Sequence, residues 1–470
     1  AIALFEQNLE DRTRILGPHH PDTLTAHLNL AYAYRKAGRL HEAIALFEQN
    51  LDDHTRTLGP HHPDTLISRD NLASAYREAG RLDEAIALFE QNLEDSTRIL
   101  GPHHPHTLTS RNNLAYAYHD AGRLHEAIAL FEQTLEDSTR ILGPHHPDTL
   151  TARLNLAGAY RDAGRLDEAI ALFEQTLEDS TRILGPHHPH TLTSRNNLAY
   201  AYREAGRLDE AIALFEQNLE DRTRILGPHH PDTLTAHLNL AYAYREAGRI
   251  DEAIALFEQN LEDRTRILGP DHPDTLASRH NLANAYREMG RLDEAITLHQ
   301  QNLEDSIHIL GPHHPHTLTS RHNLAVAYHD AGRLNEAITL QEQNLKDFKN
   351  LLGPNHPHTL TSRHNLANAY QAAGRLDEAI PLYEQTLKDF ENLLGPHHPL
   401  TLASRHNLAG AYRDAGRLDE AVALYEQTLE DRTRILGPHH PHTLISRNNL
   451  AIAYLAAGRS EEAKKLFGTP

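Results

Sequence analysis

Histidine is the residue type with the most chemical potential in this chain, which has 470 residues, 38 His and no Cys. Twenty of the histidines lie in short Gly-Pro segments, for example His145 and His146 before Pro147. Without thiols, a metal site would depend on imidazole ligands, but adjacent side chains on an extended segment point apart. Equivalent His pairs are expected about 10 Å apart, too far for one ion with bonds of about 2 Å. We therefore assign no metal ligand and expect His146 to cap or pack against the turn before Pro147. A His-rich metal-binding protein is the alternative.

The sequence contains no recognisable catalytic motif. It has no GxxxxGK-type phosphate-binding loop, no GxSxG motif and no HExxH motif. The acidic residues recur with a regular period, as residues on solvated helix faces do, and no unique acid–base cluster stands out. We predict that the protein is not an enzyme and uses no cofactor.

The elements that position these residues follow from an internal repeat. The dipeptide Gly-Pro recurs every 42 residues from Gly17 to Gly437, with no insertion or deletion. Residues 1–35 and 211–245 are identical, so invariance between repeats is weak evidence for function. A chain with such a period is expected to be a repeat array.

Each repeat has the pattern of two helices. In the unit that begins at Pro147, Pro occupies the first position of a helix whose apolar residues recur with helical spacing as far as Tyr160. Gly164 is expected to be a left-handed cap, and Asp167 lies where the N-cap of a second helix belongs. We predict two antiparallel helices of about 16 residues per unit. One such hairpin cannot bury its apolar face alone, so successive units must stack.

The segment NLAGAYRDAGRLDEAIALFEQTL, residues 155–177, resembles a tetratricopeptide repeat. The small, aromatic and Ala positions of that family match Ala157, Tyr160, Ala169 and Phe173. The 42-residue period and the LGPHHP linker are similar to the kinesin-light-chain subclass, which also occurs in bacterial signalling proteins. The chain departs from it where Arg69, Arg111 and Arg153 replace an apolar residue, and where His299 and Gln341 replace the aromatic of the second helix.

The resemblance implies an all-α fold, namely a right-handed α-solenoid (superhelix) of antiparallel helix pairs. We predict a single array over residues 1–470. Residues 1–16 form a partial repeat, residues 17–458 contain the repeating units, and residues 459–470 form a truncated C-terminal helix. Because the chain begins within a repeat, we expect its first residue to be a fragment boundary.

The resemblance also implies that the first helices line a concave groove that binds peptide. In kinesin light chain an Asn at the matching position binds cargo, and an Asn amide can both donate to and accept from an extended backbone. The alternative is that this Asn only bridges neighbouring helices. We predict that one Asn of each repeat lines the groove: Asn29, Asn71, Asn113, Asn155, Asn197, Asn239, Asn281, Asn323, Asn365, Asn407 and Asn449.

Residues beside these asparagines vary between repeats. The preceding residue is Leu, Asp or Asn in the first six repeats and His in four consecutive later ones. Such variation is how a binding surface gains specificity, although neutral drift on exposed positions is the alternative. We add to the predicted groove Tyr116, Tyr200, Arg203, His280, His322, His364 and His406.

The charge limits the kind of partner. The chain has 45 Lys and Arg against 65 Asp and Glu, a formal charge of −20 with neutral His. This balance argues against nucleic-acid or membrane partners, and no apolar run is long enough to span a bilayer. Self-association is expected near the pI of about 6.0, where repulsion vanishes.

We therefore interpret the chain as a non-catalytic scaffold that binds a peptide or protein in the groove. The resemblance favours the C-terminal sensor or interaction region of a larger bacterial signalling protein in the cytoplasm. A metal-binding protein, or an engineered or structural array without an evolved ligand, is the alternative.

Overall fold

The computed structural model describes residues 2–467, and all its regular elements are α-helices. Residues up to Ala243 form one compact unit and those from Tyr244 a second. In the first unit the first helices of the repeats are α2 (Pro21–Lys36), α4 (Pro63–Glu78), α6 (Pro105–Asp120), α8 (Pro147–Asp162), α10 (Pro189–Glu204) and α12 (Pro231–Glu246), of which the last three residues belong to the second unit. Its second helices are α1 (Ile2–Leu16), α3 (Leu40–Leu58), α5 (Leu82–Leu100), α7 (Leu124–Leu142), α9 (Leu166–Leu184) and α11 (Leu208–Leu226).

The second unit continues the same alternation. Its second helices are α13 (Ile250–Leu268), α15 (Leu292–Leu310), α17 (Leu334–Leu352), α19 (Leu376–Leu394), α21 (Leu418–Leu436) and α23 (Ser460–Lys465). Its first helices are α14 (Pro273–Glu288), α16 (Pro315–Asp330), α18 (Pro357–Ala372), α20 (Pro399–Asp414) and α22 (Pro441–Ala456). From α1 to α11, and again from α13 to α23, each helix packs against the next. The predicted all-α repeat of helix pairs is confirmed.

The His directly before the second Pro of each linker is the N-cap of the first helix that follows. Pro147 is the first residue of α8, and His146 is the N-cap, with its Nδ1 accepting a hydrogen bond from the Asp148 N–H at 3.2 Å. The same bond recurs in the other linkers at 3.2 Å, for example from Asp64 to His62 and from His190 to His188. The predicted capping role of this His is confirmed.

The start of the second helix differs from the prediction. Gly164 has φ +74 and lets the chain reverse tightly, so that the Arg165 N–H donates to the Tyr160 carbonyl at 2.8 Å. Because this turn closes at once, α9 begins at Leu166, Arg165 is the N-cap, and Asp167 lies in the first turn. The assignment of Asp167 as N-cap was wrong. The second helices are also longer than predicted, with 19 residues in α9.

Small and aromatic side chains form the core between the helices. Ala157 and Ala169 are fully buried, and Phe173 is 1% exposed. In the second unit, His299 and Gln341 are as deeply buried as the Phe that they replace, at 1% and 4% exposure. The Nε2 of His299 and the Oε1 of Gln341 have no hydrogen-bond partner within the described residues. Two polar side chains therefore occupy core positions that are aromatic in the other repeats.

Candidate functional site

The predicted groove residues lie where successive first helices approach each other; we call this surface the first-helix face. Here the Asn113 Nδ2 donates to both carboxylate oxygens of Asp70, at 3.1 and 2.9 Å. In the next repeat the Asn155 Nδ2 donates to the Asn112 Oδ1 at 3.1 Å. Two repeats further on, the Asn239 Nδ2 donates to the Asn196 Oδ1, also at 3.1 Å. These bonds join the first helix of one repeat to that of the next.

In the second unit, histidines replace the acceptors of these bonds. The Nδ2 of Asn323 lies 3.2 Å from the Nδ1 of His280, and the Nδ2 of Asn407 lies 2.8 Å from the Nε2 of His364. Asn449 contacts the ring of His406 in the same way at 2.8 Å. Within the described residues, at least seven of the eleven asparagines therefore bridge neighbouring first helices, Asn71 included. Their role in peptide binding stays a prediction.

The other members of the Asn series lie at the corresponding positions of the same face. Asn71 accepts a hydrogen bond from the Tyr32 hydroxyl at 2.8 Å, and Asn365 lines two pockets described below. Asn29 is exposed, whereas Asn197 and Asn281 are half-buried. A ligand on this face would therefore meet amides in unequal surroundings.

The predicted tyrosines pack on the core as well as on the face. The Tyr116 ring meets Phe131 edge to face at 5.3 Å between centroids, and the Tyr200 ring meets Phe215 at 5.4 Å. The guanidinium of Arg203 lies 5.0 Å from the Tyr200 ring centroid, which confirms that these two residues share a surface. Burial raises the pKa of both tyrosine hydroxyls.

Each predicted groove histidine contacts the core residue beneath it. The His280 ring lies 5.6 Å from that of His299, and the His322 Nδ1 lies 3.0 Å from the Gln341 Nε2. Burial lowers the pKa of His280 and His322.

The remaining two groove histidines stack edge to face on tyrosines. His364 lies 5.3 Å from Tyr383, and His406 lies 5.1 Å from Tyr425, between ring centroids. Burial lowers the pKa of both imidazoles to about 4. These histidines are therefore neutral hydrogen-bonding groups at pH 7.

Pockets open on the first-helix face between adjacent repeats. In the first unit, pockets of about 450 and 240 Å³ lie between α2 and α4 and between α4 and α6. In the second unit, pockets of about 180 and 140 Å³ lie between α16 and α18, and both are lined by His322, Gln341 and Asn365. Asp70 and His322, which stand at the variable position before the Asn, therefore line three of these pockets.

An ion-pair network that sequence reasoning missed explains the arginines that depart from the family pattern. The Arg69 Nη1 lies 2.8 Å from the Asp95 Oδ2, and both side chains are buried. Arg98 contacts the other oxygen of Asp95 at 2.6 Å. Burial by itself would raise the pKa of Asp95, but hydrogen bonds from Arg69 and Arg98 outweigh it and lower the pKa. The signal was an Arg and an Asp that recur 26 residues apart.

In at least seven of the linkers, the first of the two His contacts the Asp equivalent to Asp95. The His61 Nδ1 lies 3.3 Å from the Asp95 Oδ1, and His103 contacts Asp137 similarly at 3.4 Å. Within residues 2–467, no group of three or more His, Asp or Glu is arranged to hold a metal ion. In the same residues, no helix is both long and apolar enough to cross a membrane.

A regular array of helix pairs with a variable, pocketed face is the architecture of a helical-repeat scaffold. The tetratricopeptide repeat profile matches the chain in overlapping segments at residues 1–52, 23–94, 70–140, 111–180, 148–220, 193–262, 232–304, 274–346, 317–392, 361–433 and 405–468. The chain therefore belongs to the tetratricopeptide repeat family, as its sequence predicts. Proteins of this family generally act as protein-interaction scaffolds and are typically non-catalytic.

Three solved structures illustrate the similarity. A Podosopora anserina protein, described as a kinesin light chain with nearly identical TPR-like repeats, is 35% identical over 44% of this chain and 97% of that chain, with a TM-score of 0.40. A variant of it is 37% identical over 43% and 96%, with a TM-score of 0.41. BtubC (BKLC) from P. vanneervenii is 22% identical over 50% and 94%, with a TM-score of 0.43. No curated protein matches significantly.

Proposed function

We propose that the chain is a non-catalytic scaffold that binds a peptide or protein along the groove lined by its first helices. We further propose that it is the C-terminal sensor or interaction region of a larger bacterial signalling protein in the cytoplasm, with neither nucleic acid nor membrane as its partner. The observation that carries the proposal is the contrast between a constant core and a variable first-helix face.

The contrast is visible in neighbouring repeats. Core Ala157 and Ala199 are equivalent and both fully buried, as are their counterparts in other repeats. The position that lies over the core on the first-helix face instead changes from Asp70 to Asn112 and later to His322. Because Asp70 and His322 each line a pocket, this variation changes the chemistry that a ligand would meet. Constant helices with variable pockets suit recognition of different side chains along one extended chain.

The test removes three consecutive asparagines of the second unit. A partner is first isolated by pull-down from the source organism and identified. Replacing Asn281, Asn323 and Asn365 together by Ala should then weaken its binding. Each lost hydrogen bond is worth about 0.5–1.5 kcal/mol, so the dissociation constant should rise by at least tenfold in total. Calorimetric titration measures the affinity, and circular dichroism should show unchanged helical content.

The matched control places three Ala substitutions at the same period on exposed second-helix positions, Glu262, Glu304 and Lys346. This control should leave the affinity unchanged. If the asparagine variant unfolds, the Asn series is purely structural. If it folds and binds as tightly as the parent chain, the partner binds elsewhere and the groove proposal is wrong.

A further inference from the structure

One pocket of the first-helix face combines an unpaired carboxylate with apolar walls. It lies between α4 and α6, has a volume of about 240 Å³, and is lined by Leu66, Ile67, Asp70, Asn92 and Leu100, among others. Within residues 2–467, no Lys, Arg or His nitrogen lies within 4 Å of the Asp70 carboxylate, in contrast to Asp95 with its two arginines. The Asp70 charge is therefore held by amide hydrogen bonds without a cation.

A second acceptor in the same pocket also lacks a partner. Asn92 is 2% exposed, and its Nδ2 lies 3.4 Å from the Ser110 Oγ. Its Oδ1 has no hydrogen-bond partner within the described part of the chain. A buried acceptor without a partner is unfavourable, so a donor that entered the pocket would be stabilised by a hydrogen bond to it. Asp70 and Asn92 together leave the pocket in need of hydrogen-bond donors.

The fold does not need a carboxylate at this position. In the next repeat Asn112 occupies the place of Asp70 and accepts the same bridging bond, from Asn155 at 3.1 Å. Burial raises the pKa of Asp70, and the hydrogen bonds from Asn113 and Asn92 only partly oppose this rise. The charges of His106 on α6 and Arg77 on α4 also lower the pKa of Asp70, but their effects are smaller. A carboxylate that the fold must desolvate without an ion pair suggests a function other than folding.

A neighbouring residue departs from the repeat in the same pocket. Ile67 stands where Thr25, Thr109 and Thr151 stand in other repeats of the first unit, and it is 40% exposed. In a chain whose repeats are nearly identical, two unusual residues, Ile67 and Asp70, therefore converge on one cavity. One supplies an apolar wall and the other a negative charge.

We infer that this pocket binds a primary alkylammonium group, specifically the side chain of a Lys in a peptide bound along the first-helix face. An ammonium offers three N–H donors to Asp70 and Asn92, and its methylene stem lies against Leu66, Ile67 and Leu100. The Lys assignment rests on the proposed groove function. A free aliphatic amine has the same chemistry and is the alternative source.

The test uses small probes on the full chain at pH 7. n-Pentylamine should bind at least tenfold more tightly than n-pentanol, which has the same stem without the charge. Asp70→Asn, which copies the native Asn112, should reduce pentylamine affinity at least tenfold. Ile67→Thr, which copies Thr109, should lower the affinity for both probes severalfold. The control Glu94→Gln removes one charge from an exposed position of α5 and should change nothing.

Ligand-observed NMR and calorimetry give the affinities. Equal binding of amine and alcohol, or equal behaviour of Asp70→Asn and Glu94→Gln, would overturn the inference. Nα-acetyl-lysine-N-methylamide should bind like pentylamine; if only the free amine binds, the Lys assignment is wrong. If pentylamine binding depends on Asp70 but the triple asparagine variant binds the identified partner as tightly as the parent chain, only the proposed groove function is refuted. Peptide binding that is insensitive to Asp70 would refute only this inference.

Discussion

At the scale of single residues, the environment decides what each histidine does. His146 accepts a backbone hydrogen bond as an N-cap, and His61 contacts a carboxylate. His364 contacts a tyrosine ring and an asparagine amide, and burial lowers its pKa and keeps it neutral at pH 7. One residue type thus serves as a cap, as a member of an ion-pair network and as a residue of the first-helix face. The cap was predicted from the sequence, whereas the ion-pair network was not.

The Asp70 carboxylate should reduce stability at neutral pH. Its pKa in the folded state is raised, so the folded chain binds a proton more tightly than the unfolded chain. The stabilising effect of that proton is complete below the unfolded pKa of about 3.9 and is lost as the pH rises through the folded pKa. Asp70→Asn should therefore raise the urea midpoint at pH 7, and the gain should vanish near pH 3. A gain of equal size at both pH values would contradict this explanation.

The half-buried His364 and His406 should make the second unit sensitive to acid. Their pKa values of about 4 lie below the ordinary value of about 6.5, so the unfolded chain binds more protons between these limits. The contribution of the two neutral histidines to the free energy of unfolding is complete above about pH 6.5. It falls as the pH drops toward 4, by on the order of 1–2 kcal/mol per His at pH 5. Arg413, Arg432 and His442 act on His406 in the same direction.

Replacing His364 and His406 together by Asn checks this prediction. Asn112 and Asn196 occupy the equivalent position natively and accept the same bridging bond. Thermal melts at pH 7 and pH 5 should show a smaller loss of midpoint for the double variant than for the parent chain. If both chains lose the same amount, the acid sensitivity has another origin.

At the scale of helices, the weakest part of the second unit should be α15 to α17. His299 and Gln341 leave polar atoms without partners in the core, and pockets of about 180 and 140 Å³ adjoin Gln341. In a repeat array such a defect stays local. Amide hydrogen exchange should therefore be faster over residues 296–345 than in the flanking repeats, and Gln341→Phe, which restores the aromatic of other repeats, should slow it. Uniform protection of the second unit would exclude a local defect.

The elements also show how far the sequence could be read. Gly164 and Pro147 fixed helix ends that local geometry dictates, and the structure confirms both. The prediction of Asp167 as N-cap was wrong because the tight turn at Gly164 makes Arg165 the N-cap and leaves Asp167 in the first turn. The Arg69–Asp95 pair joins the two helices of one repeat, and the pocket at Asp70 lies between successive repeats. Both depend on how the helices pack, which no local pattern contains.

At the scale of the whole molecule, self-association should peak slightly below the sequence pI of about 6.0. The formal charge of −20 is cancelled as histidines gain protons, and repulsion between molecules then vanishes. Burial lowers the pKa of several histidines, and because they stay neutral, the balance is reached at a lower pH. These histidines are His27, His54, His280, His299, His322, His364 and His406.

Light scattering between pH 5 and 8 measures this association directly. We expect a single maximum between about pH 5.5 and 6, because the histidines of lowered pKa move the point of zero net charge below the sequence pI of about 6.0. Salt at about 0.5 M should flatten the profile, since it screens both the repulsion away from the pI and the attraction between opposite charges. A chain with His364 and His406 replaced by Lys would carry two permanent charges and should shift the maximum upward. Scattering without a maximum in this range would show that charge does not control association.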